Sequence, residues 1–380
     1  MAMPHMTSNV APVDVSVLVP IRDEAAFIRE TSRAITAQDF QGSVEFLMID
    51  GASQDGTRTI LDELALHDPR VRVLDNPQGD LASALCIGLD AARGEFVAKM
   101  DAHTHFPRSY LQAGVDRLRQ GDVNWVSGPP IPHGVNPWSR RVGLALGTRM
   151  GMGGSGKWPA AFQTGDQEQE RELDTGVFSG VWRRSVLQRL GGWDPEWPVN
   201  EDSELASRYL AAGERILCLW SMGAHYVPRS SPRSLARQYF YYGYYRVKTA
   251  IRHPASMRAS HLAPPAMVAV LAAGALGGRH GRRLARLSLL SYGLAQAQVC
   301  LRVARGGARQ DAVMLPAVLT TMHLSFGAGY LTGCLRFGVP LAGLRRLVQR
   351  GGARRDERSA VRVQNVRAPE TAHTSSRRSR

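Results

Sequence analysis

Short runs of apolar, β-favouring residues recur through the first hundred positions. VSVLV (15–19), EFLMI (45–49), VRVL (71–74) and EFVAKM (95–100) are each of strand length, and the helix-compatible stretches 24–38, 58–67 and 81–93 lie between them. Each stretch is long enough for a crossover, so the alternation predicts an α/β fold with a mostly parallel sheet between helices. After residue 250 the pattern changes to uncharged apolar runs at 262–278, 287–301 and 312–335, with arginines between them. Their 17, 15 and 24 residues straddle the roughly 20 that hydrocarbon requires, which predicts membrane-associated helices, spanning or re-entrant. A buried helical domain is the alternative, because the first two runs are short and rich in Ala and Gly. The division expected is a disordered N-terminus (1–13), an α/β domain (14–250), a membrane-associated helical region (251–340) and a basic disordered tail (341–380).

Polar residues collect where the strands end. Pro20, Arg22 and Glu24 follow the first run, DGASQDGT begins at Asp50 after the second, and Asp101 follows the fourth in KMDAHTHFP. In open parallel sheets the crevice outside the carboxyl ends of the strands is the ligand site, and a nucleotide is its commonest occupant.

Charge alters the choice of partner. The formal net charge is +14, but residues 1–250 carry 26 Lys+Arg against 29 Asp+Glu, while residues 251–380 carry 21 against 4. The positive excess therefore coincides with the apolar runs, which suits lipid headgroups and not nucleic acid. Cys86, Cys218, Cys300 and Cys334 form no C-x-x-C pair, which disfavours both a zinc knuckle and a disulfide framework. The first dozen residues have neither a basic start nor an apolar core, so the α/β domain is expected to remain on the cytosolic side.

VLVPIRDE, MIDGASQDGT, DNPQG, AARGEFVAKMDAH, FSGVWRRSVLQRLGGWD and NEDSELASRYLAAG, in this order and spacing, resemble the family 2 glycosyltransferases with a GT-A fold over about residues 14–250. DAH, PRSS…LARQYF and TTMHLSFGAGYL are most similar to the membrane-associated bacterial glucosyltransferases of succinoglycan-type exopolysaccharide assembly. The resemblance implies an inverting transfer of a sugar, with UDP-glucose as the leading donor, to a lipid-linked or glycan hydroxyl. It implies that Asp50 contacts the base of the donor, where accepting the imino hydrogen of uracil favours UDP. Pro20, Arg22 and Glu24 then border that pocket.

Many members of the family have Asp-x-Asp where this chain has Asp101, Ala102 and His103. Alternation along an extended segment would put Asp101 and His103 on one side, able to approach one divalent cation on the donor phosphates. Imidazole favours Mn2+, and availability favours Mg2+. His225 in GAHYVP is the candidate third ligand, and His105 is expected to face solvent or to support the site. Asp202 is implied as the general base and Glu201 as its acceptor-orienting neighbour; without the resemblance, both would read as acids favoured by a helix start. Gly180, Gln238 and Arg246 are expected on the acceptor or diphosphate side. QYFYYGYYR occupies the place of the Gln-x-x-Arg-Trp stretch of processive relatives but has no Trp, and an amphipathic interfacial helix is an equal reading of it.

Two further patterns are set aside. A glycosidase carboxylate pair would leave the nucleotide-side motifs unused. GMGGSGK (151–157) has the spacing of a phosphate-binding loop, but Trp158 stands where a Ser or Thr hydroxyl is needed. A mobile loop through Glu172 is the expectation there. The remaining alternatives to a transferase adding one sugar are a processive polysaccharide synthase and a noncatalytic sugar-nucleotide-binding scaffold.

Overall fold

The computed structural model of the protein describes residues 12–159 and 170–349. The four runs anticipated from the pattern form β1 (Val15–Ile21), β2 (Val44–Asp50), β3 (Val71–Asp75) and β4 (Phe96–Lys99). They pair in parallel, with Val15 opposite both Val44 and Phe96. Their side chains alternate between two cores. Val15, Val17 and Val19 join Phe46 and Met48 on one face, whereas Leu18, Leu47 and Ile49 pack against the helix Leu81–Ala91 on the other. Burial on both faces explains why these strands read as continuous apolar runs.

The remaining strands are short: β5 (Thr104–His105), β6 (Trp125–Ser127), β7 (Pro130–Pro132), β8 (Glu170–Glu172), β9 (Gly180–Arg183), β10 (Ile216–Leu219) and β11 (Ala224–Tyr226). The large sheet runs β3-β2-β1-β4-β9-β6-β10-β8, and β5, β11 and β7 form a second small sheet. The large sheet is mixed, since β9 lies antiparallel to β4 and β6, and β8 antiparallel to β10.

The loops after β1 and β2 are stitched together. Asp23 and Ala52 adopt left-handed backbone conformations at φ 53° and 55°. The Asp23 N–H donates to Ser53 Oγ at 2.9 Å, and the Gln54 N–H returns a bond to Asp23 Oδ1 at 2.8 Å. The Glu24 N–H donates to Thr57 Oγ1 at 2.8 Å. Two polar loops are thereby held as one rim of the crevice.

Helix Pro232–Arg252 starts at a Ser231 cap, with Pro in its first turn, and runs through residue 250, where the sequence had suggested a boundary. It lies against helix Leu315–Phe337 so closely that a Cβ on Gly329 would stand 1.9 Å from the Phe240 carbonyl oxygen, and one on Gly243 2.0 Å from that of Phe326. The apolar run 312–335 is therefore largely a packing helix, with Val318, Leu319, Met322 and Tyr330 buried, and not a free membrane span. The other two runs form helices Ala263–Leu276 and Arg279–Arg305, whose buried residues are only Pro265, Gly274, Gln296 and Val299. Among the described residues one helix, Ala259–Leu276, is long and apolar enough to cross a membrane. Residues 341–349 are helical, so the tail expected from 341 begins as structure. The expected disorder at 1–11 and 350–380, and the middle of the loop expected through Glu172, lie outside the described residues.

Candidate active site

The strand-end loops and the C-terminal helices open into one cleft of ≈ 1250 Å³. Pro20, Arg22, Glu24, Gly51 and Asn76 line it from the ends of β1, β2 and β3, and Asp101 and His103 from beyond β4. Glu201 and Asp202 enter from the start of helix Glu201–Ala211, and Gln238, Tyr242 and Arg246 from helix Pro232–Arg252. Arg258, His261, Met267 and Phe326 complete the wall on the C-terminal side.

The residues expected at the donor end are held by short-range bonds. Arg22 Nη1 donates to the Gly79 carbonyl at 2.8 Å, and Gly79 has φ 70°, a conformation that suits glycine. Asp50 is buried beside Gly51, its Oδ1 accepting the Ser53 N–H at 3.3 Å, and Gly51 is the residue that lines the cleft. Asn76 is buried and donates to the Asp80 carbonyl, while its own side-chain oxygen has no protein partner.

Asp101 and His103 do not lie on an extended strand. The Thr104 N–H bonds back to the Asp101 carbonyl at 3.2 Å, closing a turn through Ala102 and His103. Both residues still line the cleft, because the turn replaces alternation in bringing them to it. His103 Nδ1 lies 3.5 Å from Glu24 Oε1. That contact raises its pKa, burial opposes the rise, and Asp101 adds to it. His225 is not a third ligand. In β11 it pairs with His105 and is exposed, with its ring near that of His133, while the next residue, Tyr226, lines the cleft. Alternation sends the two side chains to opposite faces. Among the described residues no group of three or more His, Cys, Asp or Glu could hold a metal ion. Asp101 and His103 fit a divalent cation that takes its remaining oxygens from phosphate and water, the coordination style usual for Mg2+.

Lys99, the last residue of β4, is 2 % exposed and has Nζ 3.6 Å from Asp101 Oδ1 and 3.4 Å from Glu201 Oε1. Burial works against its ammonium, but Asp101, Glu201 and Asp202 together hold its pKa above the ordinary lysine value. The two neighbouring carboxylates are pushed apart. Burial raises the Glu201 pKa, with Lys99 opposing and Asp202 reinforcing the rise. Burial also acts upward on Asp202, but Lys157, Lys99, the Ser203 N–H and Arg246 outweigh it and lower its pKa. Asp202 Oδ1 accepts the Ser203 N–H at 2.7 Å, and Oδ2 lies 3.6 Å from Lys157 Nζ. The surroundings push the two pKa values in opposite directions, and Asp202 is the one whose ionised form they favour.

Asn200, just before this pair, has φ 67° and donates from Nδ2 to the Tyr242 carbonyl at 3.2 Å. The turn that delivers Glu201 and Asp202 is thus anchored to helix Pro232–Arg252. Arg246 donates to Ser203 Oγ at 3.3 Å; burial, with repulsion from Arg258, brings its pKa down to about 10. Gly180 is elsewhere. It sits in β9 across from Lys99, where a Cβ would come within 2.8 Å of Ser127 Oγ and Trp125 Nε1, so its smallness serves the sheet.

Sequence reasoning did not single out Lys99, Lys157, Asn76 or Arg258. Lys99 did leave a signal, a lone lysine in an otherwise apolar strand. Lys157 was visible only as part of the rejected phosphate-loop pattern.

An α/β sheet with a carboxylate-lined crevice at its strand ends is an architecture that can hold a nucleotide. Residues 16–191 match Glycosyl transferase family 2. The succinoglycan biosynthesis protein ExoA of Rhizobium meliloti (strain 1021) is 29% identical over 262 residues, 68% of this chain and 77% of that protein. Glycosyltransferase AglE of Haloferax volcanii is 31% identical over 117 residues, 30% of this chain and 38% of its own length. The mannosyltransferase PcManGT from Pyrobaculum calidifontis, solved with GDP-Man and Mn2+, is 23% identical and aligns with TM-score 0.56 over 86% of this chain and 89% of its own. The last comparison establishes a shared fold.

Proposed function

We propose that the protein transfers one hexosyl residue, with inversion, from a UDP-sugar to a hydroxyl of a lipid-linked saccharide in bacterial surface-polysaccharide assembly. Glucose is our reading of the sugar, from the likeness to a succinoglycan biosynthesis protein. The observation that carries the proposal is the Asp202 carboxylate, 3.6 Å from Lys157 Nζ, in the same cleft as the strand-end loops.

In this mechanism the base and ribose of the donor lie by Pro20, Arg22, Gly51 and Asn76, with Asp50 fixing the turn that carries Gly51. Asp101 and His103 would hold a divalent cation, Mn2+ or Mg2+, which when bound supplies Lewis-acid stabilisation of the leaving diphosphate. The acceptor hydroxyl attacks the anomeric carbon as the bond to the diphosphate oxygen breaks, and that bonding pair stays with the diphosphate. Asp202 takes the hydroxyl proton, and Glu201 orients the acceptor beside it. Gln238 and Arg246 line the acceptor side. Arg246 and Arg258 give that wall a basic character suited to an anionic headgroup.

Membrane association supports a lipid-linked acceptor, because Ala263, Pro264 and Met267 of the cleft wall belong to the apolar helix Ala263–Leu276. We place the cleft at the cytosolic face, where nucleotide sugars are made. A processive synthase is the less favoured reading, since one candidate span among the described residues is few for a polymer channel.

The test is Asp202→Asn, assayed for UDP affinity by calorimetry and for transfer with membrane lipid extract. Transfer should fall by roughly 100-fold or more with UDP affinity preserved, as for a lost general base. Near-normal transfer would remove Asp202 from the mechanism.

A further inference from the structure

The glycine-rich segment 151–157, set aside as a phosphate loop, ends on a side chain that reaches the proposed base. Lys157 Nζ lies 3.6 Å from Asp202 Oδ2 and donates to the Gly176 carbonyl at 3.2 Å. Gly176 lies directly on the backbone of the same residue, since a Cβ there would stand 2.3 Å from the Asp202 carbonyl oxygen. Lys157 therefore bridges the carboxylate and the strand of backbone packed against it.

Within the segment carrying Lys157 the Met152 N–H donates to the Thr148 carbonyl and the Ser155 N–H to the Met152 carbonyl, both at 3.0 Å. Gly153 and Gly154 adopt φ 57° and 77°, with nothing within 4 Å of the Cβ positions they would have. Further fixed points come from the C-terminal elements. Ser260 Oγ donates to the Gly153 carbonyl at 2.7 Å. His323 lies 3.3 Å through Nε2 from the Met150 carbonyl, which can only accept, so Nε2 carries the proton; Nδ1 takes the Tyr292 hydroxyl at 2.8 Å. Ser260 precedes helix Ala263–Leu276, Tyr292 belongs to Arg279–Arg305 and His323 to Leu315–Phe337. Two C-terminal elements thus hold the loop that supplies a cation to Asp202, and a third, through Tyr292, holds His323 in turn.

We propose that Lys157 is a positioning residue for Asp202, orienting its carboxylate toward the acceptor hydroxyl, and that Ser260 and His323 hold Lys157 there. The inference rests on reading Asp202 as the proton acceptor. It makes the C-terminal helices part of the catalytic geometry as well as of any attachment to a bilayer. The charged groups facing Asp202 are Lys157, Lys99, Arg246 and Glu201, with the Tyr242 hydroxyl also nearby. Of the cations, Lys157 is the one borne on a loop and not on a strand or long helix. Removing it leaves Asp202 harder to ionise, so the acidic limb of the pH profile moves to higher pH.

The experiment uses the full chain in detergent with membrane lipid extract as acceptor. Lys157→Met should lower kcat by about 10-fold or more and move the acidic limb upward, while UDP affinity stays unchanged. Lys157→Arg should restore most of the rate, which separates lost charge from lost folding. Ser260→Ala combined with His323→Gln should shift kcat in the same direction by a smaller factor. In the Asp202→Asn background, Lys157→Met should add almost nothing. UDP binding weakened in step with kcat would assign Lys157 to the donor diphosphate and overturn the inference, as would an unmoved acidic limb. If Asp202→Asn abolishes transfer while Lys157→Met behaves as wild type, this inference alone falls. If Asp202→Asn transfers normally, the assignment of the base falls and this falls with it.

Discussion

Replacing Lys99 by methionine keeps the length of the side chain but leaves Asp101 and Glu201 without the ammonium that lies 3.6 and 3.4 Å from them. Removing one partner from a buried pair leaves an uncompensated charge, so Lys99→Met should cost about 3 kcal/mol, read as a lower thermal midpoint. The cost has a predictable pH dependence. Without Lys99 the folded-state pKa of Glu201, already raised by burial, moves further above its unfolded value. A carboxylate of that kind destabilises the fold progressively as pH rises from the unfolded pKa through the folded one. The variant should therefore lose least relative to wild type at acid pH, and adding Glu201→Gln should recover part of the loss at neutral pH. Equal destabilisation at pH 4 and pH 8 would contradict this account. At this scale Asp101 stood out because it follows a strand, and Asp202 only through the family resemblance, since a helix start by itself accounts for its acids. The pairing of Lys99 with Glu201 and of Lys157 with Asp202 did not stand out, because each joins segments far apart in the chain that meet only in the folded cleft.

At the scale of elements, the packing of helix Pro232–Arg252 on Leu315–Phe337 is set by missing side chains. Gly243, Gly329 and Gly333 each let a carbonyl of the facing helix approach to where a Cβ would be. Gly329→Leu should force the two helices apart and cost roughly 1–3 kcal/mol, the range for overpacking a close contact. Faster proteolysis between residues 252 and 315, with the Asn200 anchor on Tyr242 loosened, is the expected sign; unchanged proteolysis and transfer would show that the helices tolerate separation. The parallel strands β1 to β4 were legible because each is buried on both faces and so is apolar throughout. The later strands were not. β5, β6, β7 and β8 have two or three residues each, too few for any periodicity to register. The turn at Asp101 was also misread as extended, since nothing in Asp-Ala-His-Thr marks the bond from the Thr104 N–H to the Asp101 carbonyl.

For the whole molecule, the open question of attachment is a matter of what the last hundred residues leave uncovered. Leu276, Leu284, Leu287, Leu290 and Leu294 are all more than half exposed, on two consecutive helices with arginines at 279, 282, 283 and 286. An apolar surface bordered by arginines matches the boundary between acyl chains and headgroups. The intact protein should sediment with membranes and stay there in about 1 M salt, which screens charge but not hydrophobic contact. Complete release by salt alone would mean the attachment is electrostatic and no helix is embedded.

The amino-acid sequence by itself determined the α/β class, the polar loops at the ends of the first strands and the concentration of basic and apolar character after residue 250. These are local properties, written in runs of a few residues and read through the periods of strands and helices. Tertiary structure decided which apolar run packs and which stays exposed, because burial depends on what a helix meets and not on its composition. It took His225 away from the cleft by the alternation of β11, brought Lys157 to Asp202, and joined the C-terminal helices to the catalytic wall. Each of those outcomes is a contact between residues tens to hundreds of positions apart, set by how the sheet and helices close on one another.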